Sequence, residues 1–175
     1  MKIVTISGSL RSRSANTELL RAAQLVADPS WTFDHYDGLA SLPHFNPDLD
    51  FEGAIPPAPV RDLRARIGAA DALLICSPEY AHGVPGSLKN ALDWMVSDAA
   101  MLGKPIGLLN ASARSMFAYP QLAETLRTMS TRLVDGASVV ISLDGRRLDA
   151  AGIAADPALS PLLRRVLEAL RNNLP

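Results

Sequence analysis

The chain opens on a short apolar, β-branched run, Ile3-Val4-Thr5-Ile6, that stops at Gly8. A run of that length without charge predicts a strand buried on both faces, as in a parallel sheet. Past the polar loop 8–17 the apolar spacing changes. Leu19, Leu20, Ala23 and Val26 recur at helical intervals until Asp28-Pro29 stops them. The alternation then repeats. A second strand is predicted over 32–36, a helix over 60–69, and a fully apolar third strand over 72–76. A helix opens near Pro85, where a missing amide costs nothing. Residues 106–109 predict a fourth strand, and the spacing of Leu122, Leu126 and Met129 predicts a helix over 121–133. Residues 138–143 predict a fifth strand. A last helix over 157–172 carries Leu162, Leu163, Val166, Leu167 and Leu170 on one stripe.

Five strands alternating with five helices imply an α/β fold, a doubly wound five-stranded parallel sheet of order 2-1-3-4-5 with helices on both faces. The segment holding Pro43, Pro47, Pro56, Pro57 and Pro59 has the composition of a linker. Leu42, Phe45, Leu49, Phe51 and Ile55 interrupt it as apolar anchors, so a packed surface flap is expected. With 175 residues and 48% hydrophobic content, one domain spanning 1–175 is the expectation.

A net charge of -1 gives no footprint for nucleic acid or for an anionic membrane, and no apolar stretch approaches the roughly 20 residues that cross a bilayer. The single cysteine, Cys76, cannot form an internal disulfide, and the N-terminus starts directly on a strand. A cytoplasmic location is expected.

In such a sheet a ligand sits at the carboxyl ends of the strands where the order reverses, here the first and third. The loop after the first holds Ser9, Arg11, Ser12, Arg13, Ser14, Asn16 and Thr17 just before a helix N-terminus, whose amides and dipole favour an anion. It lacks the Gly-Lys-Ser/Thr ending of a triphosphate loop, and with Gly8 alone it lacks the close backbone approach a dinucleotide needs. A terminal monophosphate fits it better. Taken alone, the loop is equally compatible with an ordinary polar helix cap.

The loop after the third strand reads Ser77-Pro78-Glu79-Tyr80-Ala81-His82-Gly83-Val84-Pro85-Gly86, followed by Leu88-Lys89-Asn90-Ala91-Leu92-Asp93-Trp94. Together with Gly8-Ser9-Leu10-Arg11, Ser14, Asn16 and the stretch from Leu42-Pro43 to Asp48, it resembles the flavodoxin-like NADPH-dependent FMN reductase family. The resemblance implies FMN as cofactor, with Ser9, Arg11, Ser14, Asn16 and Thr17 at its phosphate. It also implies Pro78, Glu79, Tyr80 and Ala81 beside the ring, and Asn110 and Ser112 as donors to its pyrimidine side. Fixed amides in the Pro-Glu-Tyr turn would tune the ring, so no catalytic acid or base is expected. It further implies NADPH or NADH as donor, a ping-pong hydride transfer to a small-molecule acceptor such as a quinone, azo dye, flavin, nitro compound or metal oxyanion, and a homodimer or homotetramer. Two departures stand out. Many relatives have Asn at the position of Ala81 and a glycine-rich loop where this chain has Ser112 to Tyr119, so Phe117 and Tyr119 are expected to narrow the ring's open face.

Glu79 is expected to stabilise the turn or a subunit contact, and Cys76 to be a small core residue. His35, His44 and His82 are too scattered to suggest a metal, and none is expected. Lys89 and Asp93 have the spacing of a helix-surface pair, while Trp94 either caps the core or faces another subunit. Two other functions share the fold: an FMN electron carrier without enzymatic activity, against which the near-zero charge argues, and a flavin-less interaction protein. A phosphatase would need Arg six positions after its cysteine, where His82 stands. A phospho-receiver would need an aspartate where the third strand ends in Ser77-Pro78.

Overall fold

Four long strands form the centre of the sheet: β1 (Lys2–Ser7), β2 (Thr32–Tyr36), β3 (Ala72–Cys76) and β4 (Pro105–Asn110). They are parallel in the order β2-β1-β3-β4 in the computed structural model, which describes residues 1–174. The fifth place, beside β4, is shared by two short strands, β5 (Arg132–Leu133) and β6 (Val139–Val140). The order 2-1-3-4-5 is the one the alternation predicts.

Period-two alternation divides the strands between two cores. Val4, Ile6, Leu73, Ile75, Ile106 and Leu108 face one side and pack on α2 (Ala58–Gly68), α3 (Gly86–Asp93) and α4 (Ala118–Thr128). Ile3, Leu74, Cys76 and Leu109 face the other, under α1 (Ala15–Val26), α5 (Ala150–Ala155) and α6 (Ser160–Asn172). Both sides of the sheet are therefore covered, which explains the unbroken apolar runs of β3 and β4.

Three elements differ from the spacing. The helix expected over 121–133 ends at Thr128. Ser130 takes φ 57°, its amide bonds to the Arg127 carbonyl at 2.9 Å, and the Thr131 amide bonds to the Leu126 carbonyl at 3.3 Å. This is a left-handed helix stop with serine in the usual glycine position, and it releases Arg132 and Leu133 to pair with β4. The fifth strand expected over 138–143 is reduced to Val139–Val140, because a turn at Asp135–Ala137 packs directly on β4. A Cβ on Gly107 would come within 2.8 Å of Leu74 and 3.1 Å of the Ala137 carbonyl, so that approach requires glycine. The expected last helix is present as α6, and an unforeseen helix, α5, precedes it, separated by a turn in which Asp156 accepts the Ala158 and Leu159 amides at 2.9 and 3.0 Å.

The proline-rich flap is packed by fewer apolar anchors than expected. Leu42 is buried and Phe45 meets Trp94 edge-on at 5.1 Å, whereas Leu49, Phe51 and Ile55 are exposed. Polar ties hold it instead. The Pro43 carbonyl accepts from Trp94 Nε1 at 2.8 Å and Asn90 Nδ2 at 2.9 Å, and Arg64 donates to Asp50 at 2.8 Å. Arg64 also reaches the Trp94 carbonyl, Ser97 and Asp98, pinning flap, α2 and the end of α3 together. Trp94 is fully buried and so caps the core. Lys89 and Asp93 form the expected surface pair.

Candidate functional site

Register brings the two loops together. Ser7 pairs with Cys76, and the Gly8 amide donates to the Cys76 carbonyl at 2.9 Å, so the ends of β1 and β3 lie level. A Cβ on Gly8 would meet Ser77 Oγ at 2.6 Å, so only glycine lets the loops touch here. Above them opens a cavity of about 510 Å³. Its wall includes Ser9, Arg11, Ser14, Asn16, Pro78, Glu79, Tyr80, Asn110 and Ser112. Nine of the eleven candidate positions thus share one cavity. The other two do not line it. Thr17 turns its hydroxyl to Ser7 Oγ at 2.9 Å and borders a smaller neighbouring crevice, and Ala81 sits further along its turn.

The first loop is built to present donors. The first bond of α1 runs from the Glu18 amide to the Ser14 carbonyl at 2.9 Å, which leaves the amides of Ala15, Asn16 and Thr17 without a carbonyl in a preceding turn. Ser14 occupies the N-cap yet makes no side-chain cap bond. Its hydroxyl is buried with no partner among the described residues, in a residue only 6% exposed. Arg11 and Arg13 stand exposed at the lip. Asn16 Oδ1 is occupied by the Cys76 thiol, which donates at 3.1 Å, and burial pushes that thiol's pKa well up. Cys76 is therefore a protonated core residue.

The second loop is a mirror-image turn. Tyr80 and Gly83 exchange both backbone bonds, at 3.1 and 2.9 Å, around Ala81 (φ 48°) and His82 (φ 59°). Such turns favour Asn and Gly; here the His82 ring stacks on Phe117 at 4.1 Å instead. Glu79 ties this turn to the third loop. Its Oε2 accepts from the Phe117 and Ala118 amides at 2.7 and 2.8 Å and from Ser115 Oγ at 3.4 Å. The Ala118 amide first, then Phe117 and Ser115, hold the Glu79 carboxyl below the usual carboxylate range. The expectation that Glu79 serves the turn matches this geometry.

The third loop is organised by the candidate Asn110 and by Asp144, which the sequence pattern did not single out. Asn110 spans it, donating to the Ser115 carbonyl at 3.1 Å and accepting the Ser112 amide at 3.0 Å. Asp144 gathers its outer half, taking Ser112 Oγ at 2.7 Å, the Ala113 amide at 2.9 Å and the Arg114 guanidinium at 3.2 Å. The Ser112 hydroxyl above all depresses the Asp144 pKa, with Ser142 and the Ala113 amide adding to it. Asp144 follows the fifth strand position, so the rule that loops at carboxyl ends carry the site was the available signal. Phe117 lies outside the cavity wall, and Tyr119 packs against the core with its hydroxyl on the Leu108 carbonyl at 3.3 Å. The expected narrowing by these two rings is absent from the wall.

A monophosphate fits this donor set. An uncapped twelve-residue helix, a buried hydroxyl and two guanidinium groups that have no partner among the described residues border one cavity, whose carboxylates are already consumed by hydrogen bonds. Such a cradle at the switch point of a 2-1-3-4-5 sheet defines the flavodoxin-like class of α/β proteins. The family model for NADPH-dependent FMN reductases matches residues 1–145. The chain belongs to that family. It is 35% identical to an NAD(P)H-dependent FMN reductase of Pseudomonas aeruginosa over 176 residues, 98% of this chain and 94% of that protein. It is 45% identical over 97 residues to a protein of Oryza sativa subsp. japonica named "Probable NADPH:quinone oxidoreductase 2", 54% of this chain and 47% of the relative, so that match spans about half the relative's length. The flavoenzyme NAD(P)H:acceptor oxidoreductase FerB of Paracoccus denitrificans has the same fold, with a TM-score of 0.80, 24% identity and 99% of each chain covered.

Proposed function

We propose that residues 1–175 act as one FMN-binding oxidoreductase that takes electrons from NADPH or NADH and passes them to a quinone-type acceptor in two separate half-reactions. The observation that carries this reading is the buried Ser14 hydroxyl, left without a partner at the open end of α1. Ser9, Arg11, Ser14 and the amides opening α1 would hold the phosphate, with Asn16 completing the wall. FMN held there would supply the hydride chemistry between nicotinamide and acceptor. Pro78 to Tyr80 would border the ring, and Glu79 keeps that turn fixed by its bonds to the third loop.

Neither carboxyl of the wall is poised to give up a proton at neutral pH. Glu79 and Asp144 both have depressed pKa values, and each accepts several bonds as a carboxylate. The Cys76 thiol keeps its proton behind Asn16. Protons for a reduced quinone therefore come from solvent through the open side of the cavity. The opening of the cavity suits a bulky planar acceptor, a reading that the printed name of the Oryza sativa relative, a probable NADPH:quinone oxidoreductase, supports. We further read the working form as a homo-oligomer, on family resemblance, with exposed Tyr80, Met116 and Phe117 beside the cavity as the surface a second copy would cover.

Steady-state oxidation of NADPH by FMN-loaded protein with a benzoquinone tests the function. Parallel double-reciprocal lines are expected at varied quinone concentrations. Intersecting lines would overturn the two-step exchange, and no quinone-dependent oxidation with either donor would overturn the activity.

A further inference from the structure

A second cavity, of about 270 Å³, lies at the carboxyl ends of β1 and β2 and shares Ser9 and Arg11 with the first. Its volume is too small for a flavin or a whole dinucleotide but suits one nucleoside. We infer that this crevice takes the adenosine diphosphate half of the nicotinamide donor. The assignment of the donor rests on the oxidoreductase reading; the fit of the nucleotide half does not.

The lining is largely uncharged, and Arg21 on its wall is paired with Glu18 at 3.0 Å. Leu20, Leu39 and Tyr36 supply its apolar part, and the His35 ring is locked beside them. His35 Nε2 is hydrogen-bonded with Gln24 Oε1 at 2.7 Å, and Nδ1 with Thr5 Oγ1 at 2.6 Å. Both ring nitrogens have hydrogen-bond partners, which fixes the orientation of the imidazole on the crevice wall. The lip is charged and unsatisfied. Asp37 follows β2 directly and is exposed, and Arg11 stands between the two cavities. Neither takes part in an ion pair among the described residues. A carboxylate at the end of the second strand of a doubly wound sheet is where ribose hydroxyls are accepted in dinucleotide sites. Arg11 lines both cavities, so the guanidinium that would hold the FMN phosphate also borders the path of a diphosphate leading from this crevice toward the flavin cavity. FAD carries the same adenosine diphosphate, so the test separates the two sources.

Calorimetric titration of 5′-ADP and 2′,5′-ADP into protein with and without saturating FMN is the experiment. 5′-ADP is expected to bind both forms and to compete with NADH in the steady state. Ala40→Trp, at an exposed position on the crevice wall, is expected to weaken 5′-ADP by about tenfold or more while FMN affinity stays within about twofold. Asp37→Asn removes the charge that opposes a 2′-phosphate and is expected to shift preference toward 2′,5′-ADP by about tenfold. No ADP binding to either form, or binding untouched by both variants, would overturn the inference. So would FAD binding tighter than FMN and reduced to the FMN level by Ala40→Trp with the KM for NADH unchanged, which assigns the crevice to FAD. FMN uptake is read by absorbance in the same samples, so failure of the flavin reading shows separately as protein that binds no FMN.

Discussion

Ser14→Ala separates a ligand-binding role from a structural one by moving two quantities in opposite directions. In most helices an N-cap serine replaced by alanine costs about 1 kcal/mol, because its side chain satisfies a helix amide. Ser14 makes no such bond, and its buried hydroxyl has no partner. Removing an unsatisfied buried hydroxyl relieves a desolvation cost of about 1 kcal/mol, which in a chain of this size raises Tm by about 2–4 °C. The same hydroxyl donating to a phosphate dianion makes a charge-assisted bond of about 1.5–3 kcal/mol, so FMN should bind about 10- to 150-fold more weakly. The cofactor-free protein is therefore expected to melt higher and the FMN-saturated protein to gain less from its ligand. Thermal melts with and without FMN, with fluorescence titration of FMN, measure both. A fall in the cofactor-free Tm together with unchanged FMN affinity would show that Ser14 is an ordinary cap with no part in holding the phosphate.

Ala81→Asn places a residue tolerant of φ 48° at the head of the turn and should add about 1 kcal/mol, read as a rise of about 2–4 °C in Tm. Arg64→Ala strips Asp50, 6% exposed at its side chain, of its cation and frees the flap, so a loss of about 3 kcal/mol is expected in urea unfolding. The Glu79 bond network has a pH signature. Because the folded pKa lies below the ordinary value of 4.5, its stabilisation is complete above that pH and is lost as pH falls through the lower, folded value. Melts of Glu79→Gln should consequently depend less on pH than wild type in that acid window and converge toward it at the acid end.

The sheet order and the meeting of the first two loops were legible because buried strands leave unbroken apolar runs and their carboxyl ends follow from topology. The helix stop at Ser130 was not, since serine holds a left-handed position that glycine normally marks and the Leu122 spacing runs on to Leu133. Asp144 escaped notice because its partners Ser112 to Arg114 lie some thirty residues earlier, and no local pattern encodes that contact. The flap shows the reverse error. Phe51 and Ile55 have the composition of anchors, yet the segment is held by hydrogen bonds to Arg64, Asn90 and Trp94 that composition does not reveal. The crevice beside Asp37 likewise depends on how β2 sits against β1, a matter of register.

Anaerobic mixing of FMN-loaded protein with excess NADPH, and separately NADH, tests the central claim most directly. The protein is expected to retain FMN through gel filtration, and its visible flavin absorbance to bleach with at least one donor and return when a quinone is added. Protein that leaves the column colourless, or retained flavin that neither donor bleaches, would contradict it.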